Sequence, residues 1–470
     1  MRAASGMFFW SEFGHRVGRR RYENSKMAAM DKQILATTYP RHLETVRQRY
    51  DDALAACGYD AVLIGAGIDR LQFMDDQHAP FRTNPQLTQW LPLTAHAGSC
   101  LLYRPGQRPV AIVVRPESYW EEPPETPGAP WADAIDIRVV ATPDAVPQTF
   151  GPLPASTALL GPAEQWDTAK LAGNRNPEPL VNHLHFQRAC KTDYEIACMR
   201  SATAAAVAGH RAVADAFAAG DSEFGMLLAF QRASGQTAAE LPYPPIIGTG
   251  RHAAVLHYQH SRHERNSAAS LLIDAGCNSL GYASDITRTH VLPGNDVFAG
   301  LRDDLDARQQ ALCVRVQPGL PFADLHHAAH EEIAAVLCRH EILSCSAEAA
   351  VERGLTHTFF PHGLGHLLGL QVHDVGGWQA DATGQQLEAP PAYPRLRLLR
   401  TLEPGFTLTI EPGIYFIDSL LDELHAQDAG ADVNWDRIAE LHPYGGIRIE
   451  DNLLVTAGGN ENLTRTAFNN

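Results

Sequence analysis

Acidic residues stand at the ends of apolar, strand-like stretches in the second half of this chain. Asp274 ends one such run and is followed by a glycine, and Asp285 lies eleven residues further on. Glu411 and Glu450 end two later runs. Burying a carboxylate costs several kcal/mol unless it is paired or bound to a metal. The pattern therefore predicts strands that meet around a charged site.

Each of these acidic residues also has a plainer interpretation. Asp285 could form an ion pair with the nearby Arg288, Asp274 could cap a turn, and Glu411 and Glu450 could be ordinary half-exposed strand residues. The connection 276–281 is rich in glycine and polar residues, which is typical of a hairpin. A hairpin there would bring the two aspartates to one place.

Histidines add a second signal. His362, His366 and His373 fall within twelve residues and are separated by glycines in an otherwise apolar segment. Imidazole binds first-row transition metals, and glycine lets the backbone crowd a site. One imidazole and four carboxylates, with no thiolate, are too rich in oxygen for a structural zinc site. The set suits a pair of divalent ions such as manganese or cobalt.

Composition excludes several classes of protein. The formal net charge is −16, whereas a nucleic-acid binder needs a basic face. No apolar run reaches the roughly 18–20 residues of a membrane span. The eight cysteines contain no C-x-x-C pair and are interpreted as reduced thiols. We therefore expect a cytoplasmic protein without nucleic-acid or membrane partners.

Periodicity divides the chain into three parts. Residues 1–35 are predicted to be a disordered leader. Residues 36–185 are predicted to be a smaller α/β domain, in which a helix from Tyr39 to Cys57 precedes five short strands. Residues 186–470 are predicted to be an α+β catalytic domain. Its first helix should be capped by Thr192 or Asp193, and its strands include 270–275, 283–291, 406–410 and 446–455.

The order and spacing of the five candidate ligands resemble those of metallopeptidases with the pita-bread fold. The segment from His362 to Asp374 looks like the proline-peptidase branch, and the run 75–85 is similar to the N-terminal domain of bacterial Xaa-Pro dipeptidases, the prolidases. The resemblance implies a hydrolase with a pita-bread catalytic domain and two divalent metal ions, manganese first, with cobalt or zinc as alternatives. It also implies a homodimer.

The resemblance assigns a role to individual residues. Asp274 would bind one metal, Asp285 and Glu450 would bridge both, and His366 and Glu411 would complete the second. The remaining roles are those of the catalytic and substrate-binding groups. His257 and His373 would stabilise the developing oxyanion, and Glu411 would carry the proton. His362 and Arg448 would lie beside the metals. The substrate would be bound by Arg397, Tyr243 and Asp76.

The expected reaction is hydrolysis of Xaa-Pro dipeptides through a metal-bridging hydroxide. Arg397 would receive the C-terminal carboxylate, although Arg395 and Arg400 are close rivals in sequence. The first alternative is an Xaa-Pro aminopeptidase that acts on longer peptides, and the second is a non-catalytic peptide-binding module. His252, His260 and His263 lie near His257 but carry no assigned role.

Overall fold

The structure is a computed structural model that describes residues 11–120, 122–169, 171 and 173–470. Helix α1 spans Ser11–Cys57, so it begins before the helix predicted from Tyr39 and includes residues 11–35 of the segment expected to be a leader. Pro40 lies inside α1, and between Gly18 and Cys57 the helix contains no other glycine or proline. The rest of the expected leader, residues 1–10, lies outside the described residues.

The N-terminal half is built around one six-stranded sheet, whose strands are β1 Ala61–Gly65, β2 Cys100–Tyr103, β3 Val110–Val114, β4 Asp136–Val140, β5 Thr157–Leu160 and β6 Asn174–Arg175. The sheet is mixed and has the order β4-β3-β2-β1-β5-β6, in which β1 pairs antiparallel with β2 and parallel with β5. Helices and strands alternate along this half, as the sequence predicted. The further helices are α2 Pro85–Thr88, α3 Trp131–Ala134, α4 Val146–Thr149, α5 Ala163–Thr168 and α6 Glu178–Arg188.

The C-terminal half combines long helices with several small antiparallel sheets. The helices are α7 Asp193–Ala218, α8 Glu223–Ser234, α9 Asp296–Arg315, α10 Phe322–Arg339, α11 Ala347–Glu352, α12 Thr356–Phe359, α13 Asp418–His425, α14 Trp435–Leu441 and α15 Leu463–Asn469. The strands are β7 Ile246–Thr249, β8 Ser270–Asp274, β9 Asn278–Ser279, β10 Tyr282–Ala283, β11 Thr287–Val291, β12 Thr407–Ile410, β13 Gly413–Tyr415, β14 Gly446–Arg448, β15 Asp451–Thr456 and β16 Gly459–Asn462, and they form sheets in the orders β11-β8-β7, β12-β15-β16, β13-β14 and β9-β10.

Two strands predicted as continuous are broken in the structure. The predicted strand 283–291 is interrupted between β10 and β11, and the predicted strand 446–455 is interrupted between β14 and β15. Asp285 lies in the first break, Glu450 in the second, and Glu411 in the gap between β12 and β13. Continuous strand pairing therefore breaks off near each carboxylate, although Glu450 keeps a single antiparallel bridge to Thr287.

Helix α7 begins where the sequence predicted, with Thr192 as its N-cap. The Thr192 hydroxyl accepts from the Glu195 backbone N–H, and the Glu195 carboxylate accepts from the Thr192 N–H, which forms a capping box. Tyr194 and Met199 of this helix share a hydrophobic core with Tyr39 of α1 and Trp90. The two halves of the chain are therefore packed through a common core. Among the helices in the described residues, none is long and apolar enough to cross a membrane.

A buried ion cluster ties the junction between the halves to the histidine segment. Arg188 Nη2 lies 2.6 Å from Asp374 Oδ1, and Lys191 Nζ lies 2.9 Å from Asp374 Oδ2. The carboxylate is fully buried. Burial raises its pKa, but the two cations outweigh burial and lower the pKa to about 2. Asp374 directly follows His373, so the cluster fixes that segment against the start of α7.

Replacing Asp374 by asparagine is expected to lower the free energy of unfolding by about 3–5 kcal/mol, because two buried cations lose their partner. Chemical denaturation at pH 7 measures this change. Asp136→Asn is the matched control, since its ion pair with Arg138 is exposed on both sides. Loss of an exposed pair should cost about 1 kcal/mol or less. Equal losses in the two variants would contradict a stabilising role of the buried cluster.

Candidate metal centre and active site

Two adjoining cavities bring the predicted site residues together. The smaller, of about 450 Å³, is lined by all five candidate ligands. The larger, of about 940 Å³, extends towards the N-terminal half at Arg82 and Asn84. His257, His373 and the two aspartates line both. The predicted residues around the smaller cavity are Asp274, Asp285, His366, Glu411, Glu450, His257, His362, His373, Arg397 and Arg448.

Three of the candidate ligands form a compact cluster. One ligand atom from each of Asp285, His366 and Glu450 lies within 4.8 Å of the others, and all three residues are buried. His366 Nε2 is 3.5 Å from Asp285 Oδ2 and 3.7 Å from Glu411 Oε1. Residues 165 positions apart in sequence, from 285 to 450, therefore point at one small volume.

The imidazole of His366 is held in the orientation that a metal ligand needs. Its Nδ1 lies 3.0 Å from the Leu367 carbonyl oxygen, which can only accept a hydrogen bond. Nδ1 therefore carries the proton, and the lone pair of Nε2 faces the carboxylates. A backbone carbonyl fixing the tautomer of a ligand histidine is common in metal sites.

Asp274 completes the aspartate pair through two hydrogen-bond donors. Arg448 Nη2 donates to its Oδ2 at 2.6 Å. The Tyr243 hydroxyl lies 2.8 Å from Asp274 Oδ1 and 2.5 Å from Asp285 Oδ1. Tyr243 was expected at the substrate, and the structure places it against the two aspartates as well as on the wall of the larger cavity.

The carboxylates of the centre repel one another in the absence of a cation. Burial raises the pKa of Asp285 well above its usual range, and the charge of Asp274 raises it further. Burial and the charge of Glu450 raise the pKa of Glu411 in the same way. Burial and the charge of Asp285 likewise raise the pKa of Glu450. Oxygen donors, a correctly oriented imidazole and unbalanced negative charge together fit divalent metal ions.

His362 and Arg448 are joined by a residue that sequence reasoning missed. The Tyr415 hydroxyl accepts from Arg448 Nη1 at 2.9 Å and donates to His362 Nε2, also at 2.9 Å. His362 Nδ1 in turn donates to the Gly363 carbonyl oxygen at 2.9 Å. Tyr415 lies four residues after Glu411. Nothing in the local sequence marks it, because its partners come from two other segments.

Two further residues that sequence reasoning missed hold Asp285 and Glu450. The Thr287 hydroxyl donates to Glu450 Oε2 at 2.7 Å. The Asn452 side chain accepts from the Asp285 backbone N–H at 3.0 Å and donates to the Asp285 carbonyl oxygen. Each lies two residues after a candidate ligand, in the strand that follows the break. That spacing is the one signal from which the sequence could have identified them.

His373 and His257 stand at the mouth shared by the two cavities. The His373 ring packs edge-to-face on that of His366, with centroids 4.4 Å apart. Burial lowers the pKa of His373 to about 3, with added repulsion from His366, Arg397 and His257. His373 is therefore neutral at pH 7, and its ring N–H can act as a hydrogen-bond donor. His257 is exposed towards both cavities.

The structure separates the three rival arginines. Arg400 is buried, donates to Glu403 at 2.6 Å and stacks on Phe186. Arg395 lines the smaller cavity but donates to the Pro361 carbonyl oxygen at 3.0 Å. Arg397 lines the same cavity, and within the described part of the chain its guanidinium has no hydrogen bond or ion pair.

Asp76 is not brought to the site, contrary to the expectation for a substrate-binding residue. It is exposed in an irregular segment between β1 and α2 and lines neither cavity. The segment 71–78 closes on itself through a bridge between Leu71 and His78, which turns Asp76 towards solvent.

Comparison with known proteins agrees with this geometry. Residues 197–457 match the family model described as metallopeptidase family M24. The chain belongs to this family. Residues 37–186 match the model described as Xaa-Pro dipeptidase, N-terminal domain. Membership confirms the predicted resemblance and implies a metallopeptidase that uses divalent metal ions.

Curated relatives match over nearly their whole length. An Xaa-Pro dipeptidase of Xanthomonas campestris pv. campestris strain 8004 is 45% identical over 443 residues, which cover 93% of this chain and 99% of that protein. One of Stenotrophomonas maltophilia strain K279a is 43% identical with the same coverage. Aminopeptidase P from E. coli has the same fold, with a TM-score of 0.68 at 24% identity over 90% of this chain and 95% of that one. The predicted pita-bread fold with its smaller N-terminal domain is thereby confirmed.

Stabilisation by manganese is expected to grow as the pH rises from 5.5 to 8. Raised carboxyl pKa values mean that the metal-free folded protein holds protons that the unfolded chain has already lost. Its stability therefore falls as pH rises above the ordinary carboxyl range. A bound metal ion removes this repulsion. For each proton that the ion displaces, the affinity of the protein for the ion rises about tenfold per pH unit, or about 1.4 kcal/mol.

Thermal unfolding with Mn²⁺ and with a chelator, at both pH values, measures this difference. Asp285→Asn removes the charge of a proposed bridging ligand and is the matched control. Its unfolding temperature should depend only weakly on Mn²⁺. A shift of equal size at pH 5.5 and pH 8 in the unaltered protein would contradict binding by these carboxylates.

Proposed function

We propose that the chain is a prolidase that hydrolyses the Xaa-Pro bond of dipeptides. One observation carries the proposal: Arg397, whose guanidinium has no hydrogen bond or ion pair among the described residues, faces the same cavity as the five candidate metal ligands. A dipeptide bound at the metals presents its free C-terminal carboxylate one residue beyond the scissile bond. A planar guanidinium can bind such a carboxylate through two hydrogen bonds. The curated relatives named Xaa-Pro dipeptidase support the choice.

We assign the metal ligands as the resemblance implied. Asp274 would hold one ion, Asp285 and Glu450 would bridge two, and His366 and Glu411 would complete the second, with manganese as the first choice. Two such ions, when bound, acidify a water molecule and polarise the substrate carbonyl group. Raised pKa values and the orientation of His366 Nε2 support this assignment.

The remaining site residues would stabilise charge and move a proton. His373, neutral because of its low pKa, would donate a ring N–H to the carbonyl oxygen as negative charge develops on it, and His257 would do the same from the other side. Glu411 would accept the proton of the attacking water and deliver it to the proline nitrogen. Arg448 and His362, linked through Tyr415, would hold Asp274 and the histidine segment in place.

The competing function is that of an Xaa-Pro aminopeptidase, and the fold neighbour named aminopeptidase P is the observation that favours it. At 24% identity this neighbour supports the fold alone. A non-catalytic peptide-binding module is disfavoured, because the five ligand positions are all filled by side chains that can bind metal.

The purified protein with Mn²⁺ should cleave Ala-Pro and leave Ala-Pro-Ala nearly uncleaved. A third residue would place a neutral peptide bond, instead of a free carboxylate, opposite the Arg397 guanidinium. Arg397→Ala should lower kcat/KM for Ala-Pro at least ten- to a hundredfold, and lower it much less for Ala-Pro amide. A charge-assisted contact of this type is worth about 1.5–3 kcal/mol. Release of alanine measures all the rates.

Arg395→Ala is the matched control for this experiment, because it removes a neighbouring charge from the same cavity wall. It should discriminate little between the free acid and the amide. Faster cleavage of Ala-Pro-Ala than of Ala-Pro would establish the aminopeptidase instead. Equal losses on acid and amide in Arg397→Ala would remove Arg397 from the proposed role.

His373→Ala should retain its bound metal and slow turnover of Ala-Pro by about 10²–10³-fold, the usual effect of deleting one donor to a developing oxyanion. Elemental analysis of the purified variant and its kcat test both parts of the statement. Loss of metal would mean that His373, and not His366 alone, supplies a ligand.

We also propose a cytoplasmic homodimer. All eight cysteines are free thiols in the structure, as expected in a reducing compartment. Leu71, Phe73 and Met74 are 60%, 93% and 91% exposed, which is unusual for a contiguous apolar group. A monomeric mass by light scattering would contradict the dimer, and secretion in fractionated cells would contradict the compartment.

A further inference from the structure

The turn that carries His257 lies between β7 and β8. Val255 N–H donates to the His252 carbonyl oxygen at 3.0 Å, and Tyr258 N–H donates to that of Val255 at 3.1 Å. In the part of the chain that the structure describes, the His257 imidazole makes no hydrogen bond. The position of this ring therefore depends on the backbone to either side of it.

A single buried carboxylate, that of Glu223, binds both sides of this turn. Glu223 opens α8 and is 2% exposed. Its Oε1 accepts from the Thr249 N–H and hydroxyl, both at 2.9 Å, and from His252 Nδ1 at 2.7 Å. Its Oε2 accepts from the Tyr258 hydroxyl at 2.7 Å and the Arg262 N–H at 2.9 Å. The five donors come from residues 249–262, which bracket His257.

The two side chains nearest to His257 in this network are also stacked on each other. The rings of His252 and Tyr258 have centroids 4.6 Å apart and lie 15° from parallel. Tyr258 is 4% exposed and directly follows His257. A rigid, buried ring therefore anchors the residue next to an exposed catalytic candidate.

Glu223 remains charged despite its burial. Burial raises its pKa, but the hydrogen bonds from His252, Arg262, Thr249 and Tyr258 outweigh that effect and leave the pKa below its usual value. An ionised carboxylate is acceptor-only, and here both oxygens are surrounded by donors. None of these donors belongs to the metal centre, so the network serves the turn rather than the metals.

We propose that Glu223 is a positioning residue for His257. It would fix the turn 249–262 so that the His257 ring reaches the substrate carbonyl oxygen. This inference rests on the proposed function, because it needs His257 to act in turnover. Positioning of a donor affects the transition state more than substrate binding.

Glu223→Gln tests the role, because it keeps the shape but places an NH₂ group where only acceptors fit. We expect kcat on Ala-Pro to fall about 10–30-fold, with KM changed less than twofold and the metal content unchanged. Loss of metal, or a change confined to KM, would overturn the proposal.

A double-mutant cycle with His257→Ala separates positioning from a general loss of stability. In that background Glu223→Gln should change kcat by less than about twofold, because the residue through which it acts is already gone. The same 10–30-fold loss in both backgrounds would overturn the proposal. Tyr258→Phe keeps the charge and the stacked ring but removes one hydrogen bond, so it gives a second cycle if Glu223→Gln does not fold. It should lower kcat about three- to tenfold, and again only when His257 is present.

Glu195→Gln is the matched control, since Glu195 is also a buried glutamate at a helix start. It accepts from the Thr192 N–H at 2.8 Å and the Tyr282 hydroxyl at 3.0 Å, and none of its partners adjoins His257. It should lower stability without a change in kcat that depends on His257. Unaltered protein that fails to cleave Ala-Pro would overturn the proposed function and this inference together. Cleavage by the unaltered protein with additive variants would overturn the inference alone.

Discussion

Four carboxylates face one buried cavity, and the repulsion among them is the constraint on which the rest of the catalytic half depends. Burial and mutual repulsion raise three of their pKa values well above the usual range, so the metal-free site holds protons that divalent ions would displace. Such a cluster can exist only where other interactions force it. The surrounding core and a shell of hydrogen bonds supply that force.

The strand breaks are the backbone consequence of this constraint. A continuous antiparallel pair would direct successive side chains to opposite faces, and Asp285, Glu411 and Glu450 would then be set by sheet register alone. Interruptions at these residues let the carboxylates converge, while the flanking strands stay paired. Side chains then satisfy the backbone groups released there, as Asn452 does for the N–H and carbonyl group of Asp285.

Two buried carboxylates outside the candidate ligand set lie beside catalytic candidates. Asp374 is neutralised by Arg188 and Lys191 next to His373. Glu223 is surrounded by donors next to His257. Hydrogen-bonded networks of this type are costly when incomplete and specify one arrangement when complete. Both histidine segments are loops, which gain from the networks a rigidity that regular pairing would otherwise provide.

The sequence by itself determined the family and most regular elements, and it indicated the candidate ligand set. The candidate ligands can be recognised in the sequence because an acidic residue at the end of an apolar run, or a histidine among glycines, is a local anomaly. The Thr192 cap and the five N-terminal strands are likewise local patterns. Only the tertiary structure showed that Arg397 lines the cavity while Arg400 is buried elsewhere, that Asp76 lies outside both cavities, and which contacts Tyr415 and Glu223 make. The roles of Tyr415 and Glu223 depend on which other segment lies opposite, and contacts between segments 26 to 53 residues apart leave no periodicity or composition to detect.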